Sequence, residues 1–179
     1  MTWLDHVEKW KDCTACPLAQ QRGNICLARG TVPCDVLFIG EAPGQAEDAL
    51  GRPFVGPAGR LLDQIIERSV PPLTYALTNL VACFPAEAKA RGDNEPELSE
   101  IKACRPRLVE FIDLCKPKLV VRVGTLAADN VQHDSYGLVR GAKCIDIVHP
   151  AFILARLPQA RIPREKPRCL VETKISFLS

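Results

Sequence analysis

No stretch of this 179-residue chain approaches the ~18 uncharged apolar residues that a membrane-spanning helix requires, so no membrane span is expected. The N-terminal segment MTWLDHVEKWKDC carries acids and no apolar run, so no secretory leader is expected either. Surplus charge is also lacking: 23 Lys and Arg against 21 Asp and Glu leave a net charge of +2. That balance neither demands a nucleic-acid partner nor excludes one, because a basic face can sit on a near-neutral whole. Two phosphate-binding signatures are missing as well. Neither G-x-x-x-x-G-K-S/T nor G-x-G-x-x-G occurs, which excludes a P-loop and a dinucleotide fingerprint. No repeat, low-complexity segment or second domain is visible, and residues 1–179 are expected to form one domain with a substantial core.

Cysteine, by contrast, is plentiful, with nine in the chain. An odd number without an export signal argues against a disulfide framework. It favours thiolate ligands or buried thiols in a reducing cytoplasm. Cys13 and Cys16 form CTAC, a C-x2-C step that turns two thiolates toward one metal centre. No second such step exists, so further ligands would be single cysteines far along the chain. Spacing alone leaves a metal site and unrelated buried thiols equally open.

Apolar periodicity predicts a short helix over 2–12, with Trp3, Val7 and Trp10 on one side. Residues 17–33 read as irregular. Strands are predicted at DVLFIG (35–40), TYALTNLVACF (74–84), PKLVVRVG (117–124) and KCIDIVHP (143–150). Helices are expected after Gly56–Pro57, over 98–115 with Ser99 or a neighbour as cap, over TLAADNV, and in the tail 165–179; the polar stretch 86–97 reads as a loop. This alternation predicts an α/β fold, three-layer α/β/α, around a central four-stranded parallel-type sheet. Ligands in such sheets lie beyond the carboxyl ends of the strands, and GEAPG, TN and HP all fall there.

The loop GEAPGQAEDALGRPFVGPAGRLLD (40–63) therefore carries the functional question. A phosphate cradle, a base-binding pocket, a cofactor loop and an ordinary connection all compete for it. Its glycines permit close backbone approach to a ligand, and Glu41, Glu47 and Asp48 supply carboxylates. Phe54, flanked by proline and glycine, reads either as a stacking platform for a flat ligand or as a core plug. Asn79 could read a planar amide-like edge or simply hold a turn. His149 precedes Pro150, which keeps it out of helical geometry; only its convergence with Glu41 and Asn79 would distinguish it from a structural histidine.

Together, GEAPG-x-x-ED-x-x-GRPFVG-x-AG-x-LLD, LTN-x-V-x-C-x-P and HPA resemble the family 4 uracil-DNA glycosylases, the iron–sulfur members of that superfamily. The resemblance runs from Cys13 to about Leu157. It implies a DNA-repair enzyme that hydrolyses the N-glycosidic bond of deoxyuridine in single- or double-stranded DNA. It further implies a 4Fe–4S cluster on Cys13, Cys16, Cys83 and Cys104, with Cys26, Cys34, Cys115, Cys144 and Cys169 as bulk thiols. Phe54 would stack on the flipped base, Asn79 bond its edge, His149 donate to the leaving oxyanion, and Glu41 position water or stabilise the sugar cation. Ala42 stands where other families place a water-activating aspartate. Gly44 stands where they place an aromatic wall, so Glu47 is expected to fill that space against the thymine methyl. The family's basic turn has its arginine displaced to Arg91 or lost. Arg52, Arg60, Arg140 and Arg156 are expected near the crevice of a monomeric protein. A glycosylase for another modified pyrimidine, or a catalytically silent DNA-binding accessory protein, are the alternative readings.

Overall fold

The computed structural model of the chain describes residues 1–69, 72–90, 92, 95–133 and 138–156. The tail helix expected at 165–179, Cys169 and Arg91 lie outside them. Helices α1 (Trp3–Trp10) and α2 (Leu18–Gln21) lead into a short strand β1 (Arg29–Gly30). Next come β2 (Val36–Gly40), α3 (Gln45–Leu50), α4 (Pro57–Ser69) and β3 (Tyr75–Asn79). The chain continues through α5 (Ala86–Ala90), α6 (Leu98–Cys115), β4 (Leu119–Val123) and α7 (Thr125–Asn130). The hairpin β5 (Leu138–Val139) and β6 (Ala142–Ile147) then feeds α8 (Pro150–Arg156).

The strands form one sheet in the order β1-β3-β2-β4-β6-β5. Its four central strands are the four expected ones, and every neighbouring pair among them is parallel. The sheet exceeds the expectation by β1 and β5, two-residue antiparallel edges too short to carry a period-2 signal. Likewise α2, α3 and α5, four to six residues long, fall inside segments read as irregular. One or two turns of helix cannot establish a 3.6-residue repeat.

Every residue of β2 is buried because both faces of the strand are covered. Leu37 and Ile39 pack with Ile101, Leu108 and Phe111 of α6, whereas Val36 and Phe38 pack with Leu62 and Ile66 of α4. Alternate side chains thus feed two separate cores, and the three layers follow. Each such aliphatic or aromatic side chain contributes about 1.5–3 kcal/mol on burial. Helix α6 is capped by Glu97, not Ser99: the Glu97 carboxylate and the Glu100 side chain satisfy each other's backbone amides. The third predicted element is shorter than its apolar run. β3 stops at Asn79, yet Leu80, Val81 and Ala82 stay buried as the chain leaves the sheet. No described helix is long and apolar enough to cross a membrane.

Candidate active site

Parallel pairing puts the carboxyl ends of β2, β3, β4 and β6 on one edge. Glu41 follows β2, Asn79 closes β3, Gly124 follows β4, and His149 stands just past β6. Two glycines show how closely these groups approach. A β-carbon on Gly40 would lie 2.5 Å from Phe54 Cζ and 2.6 Å from Asn79 Oδ1. One on Gly124, whose φ is +94°, would lie 2.5 Å from Glu41 Oε1 and 3.2 Å from His149 Cβ. The loop, the TN step and the HP step therefore converge, in two pairs, at neighbouring strand ends.

Each member of this group has a distinct electrostatic state. Asn79 is 2% exposed, and its carboxamide makes no hydrogen bond among the described residues. A buried amide with unspent donors and acceptor is poised for a planar ligand. The Ala151 amide donates to His149 Nδ1 at 3.2 Å. Burial also holds this imidazole below its ordinary pKa. The ring is accordingly neutral at pH 7, with its proton on Nε2 as a hydrogen-bond donor. Burial pushes the Glu41 carboxyl up, and the negative charge of Glu95 adds to the shift.

Of the two readings of Phe54, burial matches the core plug. It is 6% exposed and belongs to the α4-side core, with its ring tip against Gly40. Its φ of +57° is left-handed, a costly conformation for a bulky residue. Arg29 holds that turn: Nε donates to the Pro53 carbonyl at 2.9 Å and Nη2 to the Phe54 carbonyl at 3.0 Å. The same guanidinium pairs with Asp63 at 2.6 Å. Nothing in the spacing of Arg29 marked it for this task.

The paired acids of the loop have separate partners. Glu47 Oε1 accepts the Gly56 amide at 2.7 Å, while a β-carbon on Gly44 would come within 2.8 Å of Glu47 Oε2. The glutamate thus fills the space that a larger residue at 44 would take. Asp48 accepts from the amides of Gly23 at 2.9 Å and Asn24 at 3.1 Å, tying the loop to the segment after α2. Ala42 packs on the α6-side core.

A second site lies beside the first. Cys13, Cys16, Cys83 and Cys104 line one cavity together with Trp10, Arg22 and Arg107. Among the described residues no three or more His, Cys, Asp or Glu close on a single metal ion. The four thiols share the lining of this one cavity. Burial pushes the Cys83 thiol up to about 11 and raises Cys16 as well. Such thiols become thiolates only beside compensating positive charge. Arg22 supplies some: Nη1 donates to Cys83 Sγ at 3.3 Å and to the Cys13 carbonyl at 2.8 Å. Of the remaining cysteines, Cys26 donates to the Glu47 carbonyl, and Cys34 and Cys115 pair within the core.

The basic residues separate. Arg52 and Arg60 stay exposed on the loop and the start of α4, and Arg156 stacks on Phe152 at 3.9 Å. Arg140 does not join them. It occupies the β5–β6 turn, at the opposite edge of the sheet from the strand ends, and pairs with Asp113 of α6. A position in a hairpin turn cannot be assigned to one edge before the hairpin itself is known.

Comparison with known proteins follows the same lines. Residues 29–172 match the family model described as the uracil DNA glycosylase superfamily. The type-4 uracil-DNA glycosylase of Sulfurisphaera tokodaii is 39% identical over 127 residues, 68% of this chain and 56% of that protein. The Pyrobaculum aerophilum protein of the same name is 37% identical over 66% of this chain and 58% of its own length. That of Thermotoga maritima is 31% identical over 82% of this chain and 80% of its own. The match thus spans somewhat more than half the length of the two archaeal relatives.

Proposed function

Since this chain belongs to the uracil-DNA glycosylase superfamily, matching its model over residues 29–172, we propose that it hydrolyses the N-glycosidic bond of deoxyuridine in DNA, freeing uracil and leaving an abasic site. The observation that carries this reading is the unspent Asn79 carboxamide, buried beside the Phe54 ring at a strand end that neighbours Glu41 and His149. Flipping the nucleotide out of the stack costs a few kcal/mol. Phe54 repays part of that cost by contacting the base, and Asn79 bonds its pyrimidine edge in both directions. As the glycosidic bond breaks, negative charge grows on the uracil carbonyl and positive charge on the sugar. His149 Nε2–H donates to the former, a role that fits about 2–4 kcal/mol of transition-state stabilisation. Glu41, in its carboxylate form, stabilises the cation or orients the attacking water from the other side.

Cys13, Cys16, Cys83 and Cys104 would hold a 4Fe–4S cluster, whose bonds cross-link the N-terminal segment to the β3 loop and α6. The hydrolysis itself transfers no electron. Acting as one domain and as a monomer in the cytoplasm, the enzyme would take uracil-containing DNA, single- or double-stranded. His149→Ala tests the assignment: single-turnover cleavage should fall far more than affinity for uracil DNA. Unchanged cleavage would remove His149 from the chemistry.

A further inference from the structure

Arg107 is the largest of the fully buried side chains, 1% exposed, and stands on α6 three residues after Cys104. Its guanidinium faces two ways. Nη2 donates to the carbonyls of Asn79 at 2.6 Å and Leu80 at 3.0 Å, and Nη1 donates to Thr78 Oγ1 at 2.8 Å. These three acceptors are the end of β3 and the first step beyond it. Nε is shut off from solvent and has no partner among the described residues. The same side chain lines the four-thiol cavity. A buried, charged N–H without an acceptor is costly, whereas hydrogen bonds to ionised groups are the strong ones. An acceptor is therefore owed to Nε: the cavity that Arg107 lines offers sulfur, and the other buried atom without a partner among the described residues is His6 Nε2.

We infer that Arg107 couples the two sites: its Nε–H donates to a thiolate or sulfide of the cluster held by the four cysteines, while its other nitrogens fix the strand end that presents Asn79. This rests on the reading given under Proposed function. Arg107 is a positioning residue, since it touches neither base nor sugar. Arg22, on the Cys83 side, contributes a second guanidinium to the same cavity but, among the described residues, has no bond to β3. Arg22 and Arg107 thus separate the two effects. Both tune the cluster, and Arg107 alone transmits its presence to the pyrimidine pocket.

Holo protein purified anaerobically with 15N-labelled arginine gives the test that needs no change at Arg107. Pulsed electron paramagnetic resonance of the reduced cluster should detect arginine nitrogen couplings in the wild type. Some should persist in Arg22→Gln, because Arg107 remains. Their complete loss in that variant would overturn the inference. Arg107→Lys, folded and iron-loaded, should shift the cluster's reduction potential to more negative values. It should also raise KM for a uracil oligonucleotide about tenfold with kcat within about threefold, the signature of lost uniform binding. Arg22→Gln should shift the potential while raising KM less than Arg107→Lys does. Either the potential or KM staying at the wild-type value in Arg107→Lys would overturn the coupling. A wild type that binds no iron overturns both this inference and the cluster assignment. An iron-loaded wild type that cuts no uracil overturns only the functional reading, because the couplings and potential do not depend on cleavage.

Discussion

Glu47 reaches across the glycine-rich loop to Gly56, its Oε1 accepting that amide at 2.7 Å while its other oxygen occupies the space beside Gly44. One carboxylate therefore anchors the loop, and we propose that it also walls the base pocket. Uracil and thymine differ by one methyl group, and an open apolar pocket separates such analogues by only ~1–3 kcal/mol. A carboxylate held rigidly beside C5 rejects the methyl by shape and by the cost of stripping its own water. Glu47→Ala should thus release thymine detectably from a mismatch while keeping some uracil activity, measured by base release from paired oligonucleotides. It should also lower stability by about 1 kcal/mol through the lost amide bond. A folded variant that cuts uracil and ignores thymine would show that Glu47 only anchors the loop.

Gly40 gives the second prediction. A methyl group there would collide with Phe54 Cζ and Asn79 Oδ1 at 2.5 and 2.6 Å, and both side chains are packed. Gly40→Ala should lower single-turnover uracil cleavage about 100-fold, the usual effect of a ~1 Å misplacement. The stability loss should stay within about 1–3 kcal/mol. Full activity in this variant would mean that Phe54 and Asn79 do not bind the base together.

Much of this site was legible in advance for one physical reason. Strands covered on both faces need apolar runs, so VLFIG announces itself, as does LVVRV despite Arg122, and the polar residues beyond them mark the ligand edge. The arginines that brace the site did not announce themselves. Arg29 and Arg107 work through backbone carbonyls, which carry no sequence identity, so no motif records them. Phe54 reads in the sequence as either a stacking platform or a core plug because its neighbours suggest a turn. The turn is real, but α4 and β2 close over the ring. Arg140 was placed by composition alone, and only the β5–β6 register removes it from the crevice.

The acid side of catalysis is open to a pH test. Burial raises the folded-state pKa of Glu41 above 4.5, so the unfolded chain ionises first as pH rises. Stability is therefore full below the unfolded pKa and is lost as pH climbs through the raised folded value. Glu41→Gln should melt at a higher temperature than wild type at neutral pH. The gap should close below about pH 4, where both carboxyl states are protonated. Wild-type cleavage should fall as pH drops through the raised pKa, while the variant stays slow and flat. A variant no more stable than wild type at pH 7 would mean that the buried carboxylate carries no penalty.

Iron content tests the second site. Anaerobically purified protein should be brown and hold about four irons per chain. Replacing any one of Cys13, Cys16, Cys83 or Cys104 by alanine should bleach it and lower its thermal midpoint. Cys144→Ala, half-buried and away from the cavity, should keep both the colour and the iron. Colourless, zinc-loaded protein with full activity would overturn the cluster assignment.

The central claim is that the strand-end site removes uracil from DNA. An end-labelled oligonucleotide with a single deoxyuridine, incubated with the purified chain and then treated with hot alkali, measures it most directly. The account predicts strand breakage at the uracil position only, appearing after alkali and not before it, and absent from a control with thymine there. An intact uracil strand after incubation with folded, iron-loaded protein would contradict it.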